Sequence, residues 1–282
     1  MSFLSIKFFQ RDFFISASLP LIASVFAIGS SVSRPAHAFR VTFEDPGTQN
    51  STKGSIFEID FDDTGTDEID VNGSDTVSNG GVTYSYTDNY EIITADQFGG
   101  ADGIGEYIGN TSSNARYSVS IDQDQDYFGF WWSAGDSDNR IEFYNDGNLL
   151  FTFNTNNIVN LLPNNSTSTI TSIDGSSIYN TQAYYGNPTA TFSGQNSNEP
   201  YAFINFYAEG SEVFDRIDFY QTDDSGIFES DNHTFSASSP SIDESVEVEV
   251  PFNFSPTIGL LLCGMSLLGI KHLKKRRTSK TN

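Results

Sequence analysis

Few side chains in this chain have the chemistry of a catalyst. Residues 39–250 contain one histidine, His233, and no cysteine. Any Ser-His-Asp arrangement there would need His233, which follows Asp231 by two positions. The sequence has no G-x-S-x-G, H-E-x-x-H or glycine-rich phosphate motif. Glycosidase-type carboxylate pairs are expected by chance among 37 acidic residues. We therefore predict that the protein is not an enzyme, and a glycan-processing enzyme is the alternative.

The acidic residues suggest one structural calcium ion, because Ca²⁺ prefers about six to eight oxygen ligands. Glu44 and Asp45 end the predicted first strand, and Glu229 and Asp231 begin the predicted last strand. If these two strands are neighbours, the four carboxylates converge on one ion. The alternative interpretation is a solvated acidic surface that keeps the protein soluble. No other cofactor is predicted.

Three aromatic residues are candidates for binding a sugar ring, since flat apolar rings stack against aromatic side chains. They are Trp131, Tyr184 and Tyr185. Neighbouring residues of a strand point to opposite faces, so Trp131 and Trp132 cannot both face a ligand, and core packing is the alternative for either. We expect Tyr184 and Tyr185 to lie in an exposed loop, and polysaccharide is the predicted ligand.

These candidates must be positioned by β-strands, because no segment between residues 39 and 239 has helical periodicity. Alternating or aromatic runs predict about ten half-buried strands. The runs are 39–43, 55–61, 82–86, 116–121, 127–132, 140–144, 149–153, 201–207, 213–220 and 232–235. A chain of short strands joined by turns predicts an all-β antiparallel sandwich, and we favour a jelly-roll in which the first and last strands lie side by side.

The sandwich is predicted to occupy residues 39–238 as one domain. A single helical turn is expected at 158–162, and 169–173 is expected to pair locally inside a long Asn/Ser/Thr-rich excursion. A polar stalk follows at 239–250.

Charge is unevenly distributed along the chain. The net charge is −23, yet residues 39–250 hold 36 of the 37 acidic residues and only five of the 14 basic ones. A domain this acidic repels a polyanion, so binding of nucleic acid through phosphate contacts is excluded as a main role.

The N-terminal end is predicted to be a signal peptide over residues 1–38. Lys7 and Arg11 precede an apolar stretch from about Phe13 to Gly29, and residues 35–38 then read Pro-Ala-His-Ala, an A-x-A site formed by Ala36 and Ala38. We place cleavage after Ala38 and expect signal peptidase and the Sec machinery as partners. An uncleaved amphipathic helix is the alternative.

The C-terminal end is predicted to cross a membrane. Residues 251–270 carry no charge, and 20 residues of helix span roughly 30 Å, the thickness of the hydrocarbon core of a bilayer. We place the transmembrane helix at 256–270 and a basic tail at 271–280, which stays cytoplasmic and leaves the acidic domain outside. An ordinary membrane anchor that is never processed is one interpretation.

The order of motif, apolar helix and basic tail resembles the sorting signal of cyanobacterial PEP-CTERM proteins. The motif residues are Pro251, Phe252, Asn253, Phe254, Ser255 and Pro256, with Asn253 where the usual form of this motif has Glu. The resemblance covers about 30 residues at 251–282. It implies that a membrane-embedded exosortase recognises the tail, cleaves near the motif and delivers the protein to the surface.

The domain ahead of this tail resembles the adhesin-like domain that often accompanies it. The segments that carry this resemblance are 127–136, 140–144, 183–188, 199–207 and 228–233. The resemblance implies surface display without chemistry. We predict an exported cell-surface or extracellular-matrix protein with a structural or adhesive role, and a carbohydrate-binding module is the alternative from another class.

Overall fold

The structure is a computed structural model, and it describes residues 39–62, 74–112, 114–222, 226–238 and 240. The predicted signal peptide, nearly all of the stalk and the whole sorting tail lie outside these residues. Within the described part, no helix combines the length and the apolar character needed to cross a membrane.

Antiparallel strands dominate the described residues and form a β-sandwich. The strands are β1 (Phe39–Phe43), β2 (Phe57–Ile59), β3 (Ser74–Asn79), β4 (Val82–Asp88), β5 (Tyr90–Thr94), β6 (Glu106–Asn110), β7 (Arg116–Gln125), β8 (Tyr127–Ser133), β9 (Asn139–Asn145), β10 (Asn148–Asn154), β11 (Thr169–Thr171), β12 (Ile178–Asn180), β13 (Ala202–Ala208), β14 (Phe214–Gln221) and β15 (Glu229–Ser236). One α-helix, α1 (Thr155–Leu161), and two 3-10 turns, Ala101–Gly103 and Thr181–Tyr184, complete the list.

Two large sheets contribute the layers. Sheet I has the order β1-β13-β8-β15-β6-β5, with β2 paired to β15, and sheet II has the order β10-β9-β14-β7-β4-β3. The pair β11–β12 forms a separate small sheet. Aromatic side chains of the two large sheets are in contact between them. The ring centroid of Phe128 in sheet I lies 6.1 Å from that of Phe143 and 6.1 Å from that of Phe219, both in sheet II. This aromatic layer is the core, and each fully buried Phe side chain contributes about 2–3 kcal/mol through burial.

The sheet order corrects the prediction that the first and last strands are neighbours. β13 and β8 lie between β1 and β15, because β1 pairs with β13 while β15 pairs with β8. Pairing between strands this distant in sequence depends on the whole core, which local alternation does not encode.

The start of β1 and the end of β15 lie at the same end of sheet I. Arg40 pairs with Tyr207, Tyr207 pairs with Tyr127, and Tyr127 pairs with Ser236. With strands about 4.8 Å apart, three steps put these two ends of the domain roughly 14 Å from each other. We call this end of the sandwich the tether end.

The local predictions are confirmed with shifted bounds. The expected helical turn is α1, which begins earlier than predicted because Asn154 forms a capping box with Asn157. In this capping box the Asn157 N–H donates to Asn154 Oδ1, and the Asn154 N–H donates to Asn157 Oδ1. The segment expected to pair locally is β11, which pairs with β12. Strands β3, β5, β6 and β12 were not predicted.

Candidate functional site

Loops cover the outer face of sheet I and create a second, smaller core there. Trp131 of β8 packs with Tyr201 and Phe203, and Ala101 and Ala134 complete the cluster. The ring centroids of Trp131 and Tyr201 are 6.2 Å apart. This cover means that the outer face of sheet I is accessible only where the loops separate.

One such opening is a cavity of about 490 Å³ at the end of sheet I where β8 ends and β15 begins. Its apolar wall is made by Ile93, Phe98, Tyr107, Ala134 and Ile227, and its acidic wall by Asp96, Asp136, Glu199 and Glu229. Glu229 and Ser236 are the first and last residues of β15, seven positions apart, so the cavity lies roughly 20 Å from the tether end. We call it the acidic cavity.

Glu229 is the most buried carboxyl group of the acidic cavity. It pairs with Ser133 across β8 and β15, and it is 8% exposed. Burial raises the pKa of Glu229 well above its usual value, and the charge of Asp136 raises it further. Glu229 is therefore protonated at a pH where an exposed glutamate is ionised.

The other acidic groups of the cavity are held by the loops. Burial raises the pKa of Glu199, and Asp136 adds to this effect. The Tyr107 hydroxyl donates to Asp96 Oδ1 at 3.4 Å. Gly226, with φ +81°, lies directly against Asp136, and a Cβ atom there would come within 2.1 Å of Asp136 Oδ2. A side chain at position 226 would displace this carboxylate.

The four predicted calcium ligands are not brought together as expected. Glu44 accepts from the N–H of Thr52 at 3.1 Å, from Thr52 Oγ1 at 2.7 Å and from Asn205 Nδ2 at 3.3 Å. Asp45 accepts from the Tyr179 hydroxyl at 2.7 Å. The donors around Glu44 tie the 44–52 segment to sheet I, so this carboxylate serves a local network.

Asp231 has a similar local role. Its carboxyl group accepts from the N–H of Ala101 and from the N–H of Asn232, both at 2.7 Å. Burial raises its pKa well above the usual value, while these two N–H donors act in the opposite direction. Among the described residues, no three His, Cys, Asp or Glu side chains are grouped so that they could hold a metal ion.

We expect removal of calcium to leave the melting temperature of the protein unchanged. The carboxyl groups of Glu44, Asp45 and Asp231 already accept hydrogen bonds, and two intervening strands separate β1 from β15. The measurement is a thermal melt in excess EGTA and in excess Ca²⁺, with Mg²⁺ as the control for ionic strength. A rise of several degrees that occurs in Ca²⁺ alone would restore the calcium site.

The predicted aromatic sugar-binding residues are largely inside the protein. Trp131 is 1% exposed and Tyr184 is 2% exposed, so the expected exposure of Tyr184 in a loop is wrong. The Tyr184 hydroxyl donates to the carbonyl of Glu44 at 2.8 Å, and the half-buried Tyr185 donates to the carbonyl of Leu162 at 2.7 Å. Phe98, which lines the acidic cavity, is an exposed aromatic residue, at 39% exposure.

His233 lies in the middle of the core. Its Nδ1 is 3.0 Å from the Tyr86 hydroxyl, its Nε2 is 3.0 Å from Ser230 Oγ, and the Tyr117 hydroxyl is 2.7 Å from the same Oγ. Its ring stacks on Phe219 with 5.1 Å between centroids. A Ser-His pair thus exists, but His233 and Ser230 are both completely buried. This is the geometry of a structural network.

On the outer face of sheet II, charged side chains and tyrosine rings form an ordered cluster. Arg216 lies over the Tyr144 ring at 4.0 Å, and Arg140 lies over the Tyr220 ring at 4.4 Å. Asp218, which is completely buried beneath them, lies 3.1 Å from Arg216 Nε and accepts from the Tyr220 hydroxyl at 3.2 Å. Arg140 also pairs with Glu142 at 3.1 Å and Arg116 with Asp218 at 3.5 Å, so acidic partners neutralise three of the domain's few basic residues.

Replacing Asp218 with Asn should lower the free energy of unfolding by roughly 2–3 kcal/mol, because a buried carboxylate loses its ion pairs with Arg116 and Arg216. Arg116 and Arg216 are a third to a half exposed, so water can solvate them and limits the effect. Chemical denaturation measures this change. The control is D124N, at an exposed position of β7, for which we expect the free energy of unfolding to change by no more than about 0.5 kcal/mol. Equal effects of the two substitutions would contradict the prediction.

Most residues of the acidic cavity were not predicted from the sequence. Glu229 was singled out for calcium, but Asp96, Asp136 and Glu199 come from three separate loops whose only shared sequence signal is acidity. No protein-family model, curated protein or solved structure matches this chain.

Proposed function

We propose that this is an exported protein of the cell surface or extracellular matrix with an adhesive or structural role. Signal peptidase and the Sec machinery process residues 1–38, and an exosortase acts on residues 251–282. The sequence features that support this proposal are the A-x-A site at Ala36 and Ala38 and the motif, apolar segment and basic tail after position 250.

The observation that carries the proposal is the position of the two ends of the folded domain. The start of β1 and the end of β15 lie together at the tether end, and the acidic cavity opens roughly 20 Å away, beside the start of β15. A domain held through its C-terminal end therefore keeps its cavity away from the point of attachment. This arrangement supports display of a binding surface outside the cell.

A non-catalytic role is supported by the placement of the residues that resemble catalytic groups. His233 and Ser230 lie in the core without exposure to solvent, and each has structural hydrogen-bond partners. The finer topological proposal is a jelly-roll in which two strands lie between the first and last strands, and it is supported by pairs of sequence-distant neighbours such as β1 with β13 and β8 with β15.

A carbohydrate-binding module is the second candidate, and the acidic cavity favours it. A volume of about 490 Å³ lies in the range of small-molecule sites, which is about 300–1,000 Å³. Phe98 supplies an exposed ring beside carboxyl groups that accept hydrogen bonds from hydroxyls.

The proposal is tested by comparing the full-length chain with a version lacking residues 251–282 in the native host. We expect the full-length protein in the cell envelope, where protease added to intact cells digests it, and the shortened version in the medium. A version lacking only residues 278–282 is the control and should behave as the full-length protein. Retention of all three versions in the cytosol would contradict the proposal.

A further inference from the structure

The acidic cavity combines an apolar wall with a concentration of carboxyl groups. None of the ten described residues that line it is basic, although Asp96, Asp136, Glu199 and Glu229 all contribute. The carboxyl groups would repel an anionic ligand, and no basic residue in this lining offsets that repulsion. The electrostatic field of the cavity therefore favours a cation. The apolar wall, which includes Ile93 and Phe98, requires that the cation carry a hydrophobic or ring-shaped body.

A second observation indicates that Glu229 is directed at a ligand. Glu229 is 8% exposed and lines the acidic cavity, and its carboxyl group accepts only from its own backbone N–H among the described residues. Its cross-strand neighbour Ser133 also has a buried Oγ without a hydrogen-bond partner in the described part of the chain. Buried polar groups are normally hydrogen-bonded, so a buried carboxyl group facing a cavity indicates a partner that enters it.

We propose that the acidic cavity binds a protonated primary amine carried on a small ring or hydrocarbon body, with the ammonium group held by Glu229 and attracted further by the charges of Asp136 and Glu199. One buried carboxyl group is enough to hold an ammonium group through a charge-assisted hydrogen bond, and water can accept from its remaining N–H donors. A metal ion such as Ca²⁺ needs about six to eight oxygen ligands around one point, and in the described residues no three acids or histidines are grouped in that way.

Binding of such a cation is coupled to a proton. Burial and then Asp136, Asp96 and Glu199 raise the pKa of Glu229, so in the empty cavity this carboxyl group stays protonated to a higher pH than an exposed glutamate does. The charge of Glu229 in turn acts on Tyr107 and Tyr201, whose pKa values burial raises, so both tyrosines are neutral. An ammonium group favours the ionised form of Glu229, so binding releases one proton from its carboxyl group to solvent. Affinity therefore rises with pH until the pKa of Glu229 is passed.

Two classes of ligand carry a protonated primary amine of this kind, amino sugars and aliphatic diamines, and the choice of probes distinguishes between them. The binding of three probes to the full-length chain is measured by isothermal titration calorimetry in a non-ionic detergent. Two probes carry amines, namely the glucosamine dimer and cadaverine. The third, the N-acetylated glucosamine dimer, is the uncharged control. We expect at least one amine to bind and the acetylated dimer to bind roughly tenfold more weakly or not at all. Stronger binding of the glucosamine dimer identifies an amino sugar, and stronger binding of cadaverine identifies an aliphatic amine.

Two variants and two buffers test the role of Glu229. In buffers of different ionisation enthalpy, at a pH below the raised pKa of Glu229, the wild-type protein should release protons when it binds the amine, and E229Q should release fewer. E229Q should weaken binding roughly tenfold or more and E199Q less than that, while the exposed E212Q, which loses the same charge, should bind as the wild type does. Circular dichroism establishes that the variants are folded. Equal binding of the amine and the acetylated probe, no binding of either amine, or proton release that is as large in E229Q as in the wild type would overturn the proposal. The assay does not depend on export, so it separates this proposal from the proposed function.

Discussion

The substitution Trp131→Ala should lower the free energy of unfolding by about 3–5 kcal/mol. Trp131 is 1% exposed and belongs to the cluster between sheet I and the loops that cover it. Its removal leaves a cavity beside Tyr201 and Phe203, and the backbone around it is fixed by pairing with both β13 and β15. The effect extends to the acidic cavity, since Ala134 belongs to both the cluster and the cavity wall.

Chemical denaturation of W131A measures this effect. The control is Leu149→Ala at a position that is 54% exposed, where we expect a change within about 0.5 kcal/mol. W131F, which keeps an aromatic ring, should recover a large part of the lost stability. A normal unfolding free energy in W131A, accompanied by lost binding of polysaccharide, would show that Trp131 is a ligand-binding residue and would contradict the packing described above.

The second large effect is expected at His233, where Ala should lower the free energy of unfolding by about 3–5 kcal/mol. The substitution removes a ring packed against Phe128 and Phe219. It also leaves the Tyr86 hydroxyl without the His233 bond and disrupts the bond from Ser230. Thermal and chemical denaturation of H233A measure the loss, and L149A again serves as the control.

The same residue makes stability sensitive to acid. Burial lowers the pKa of His233 well below its usual value of about 6.5, so below that pH the unfolded chain binds a proton that the folded chain does not. The contribution of His233 to stability therefore falls by up to about 1.4 kcal/mol per pH unit as the pH decreases below 6.5.

The buried acids act in the opposite direction. Because the pKa values of Glu229 and Asp231 are raised, the folded chain holds protons that the unfolded chain loses above a pH of about 4. Stability should pass through a maximum at mildly acidic pH. In H233Q the decrease on the acidic side of this maximum should become smaller, and an unchanged acid dependence in H233Q would contradict the assignment of the effect to this histidine.

The sequence was informative where a strand has one buried and one exposed face. In β9, Ile141 and Phe143 are core residues, while Arg140 and Tyr144 belong to the cluster of charged side chains and tyrosine rings on the outer face of sheet II. Strands of this kind were predicted from alternation. β3 was missed because Val77 is its one apolar side chain, and β5 and β6 were missed because they flank a glycine-rich segment that interrupts the pattern.

The acidic cavity was beyond prediction for a different reason. The position of Glu229 depends on the register between β8 and β15, which lie about a hundred residues apart in sequence, and a bulge at Asn232 shifts this register. The burial of Trp131 likewise depends on loops that cross the outer face of sheet I. Alternation indicated correctly that Trp131 and Trp132 point to opposite faces, but it did not indicate that both faces are covered.

The most direct test of the central claim is mass spectrometry of both ends of the protein isolated from the cell envelope of its native host. Export with removal of the signal peptide predicts a mature chain that begins at Phe39, and recognition by an exosortase predicts that its last residue lies close to Pro251. A native protein found in the cytosol with Met1 and Asn282 both intact would contradict the account.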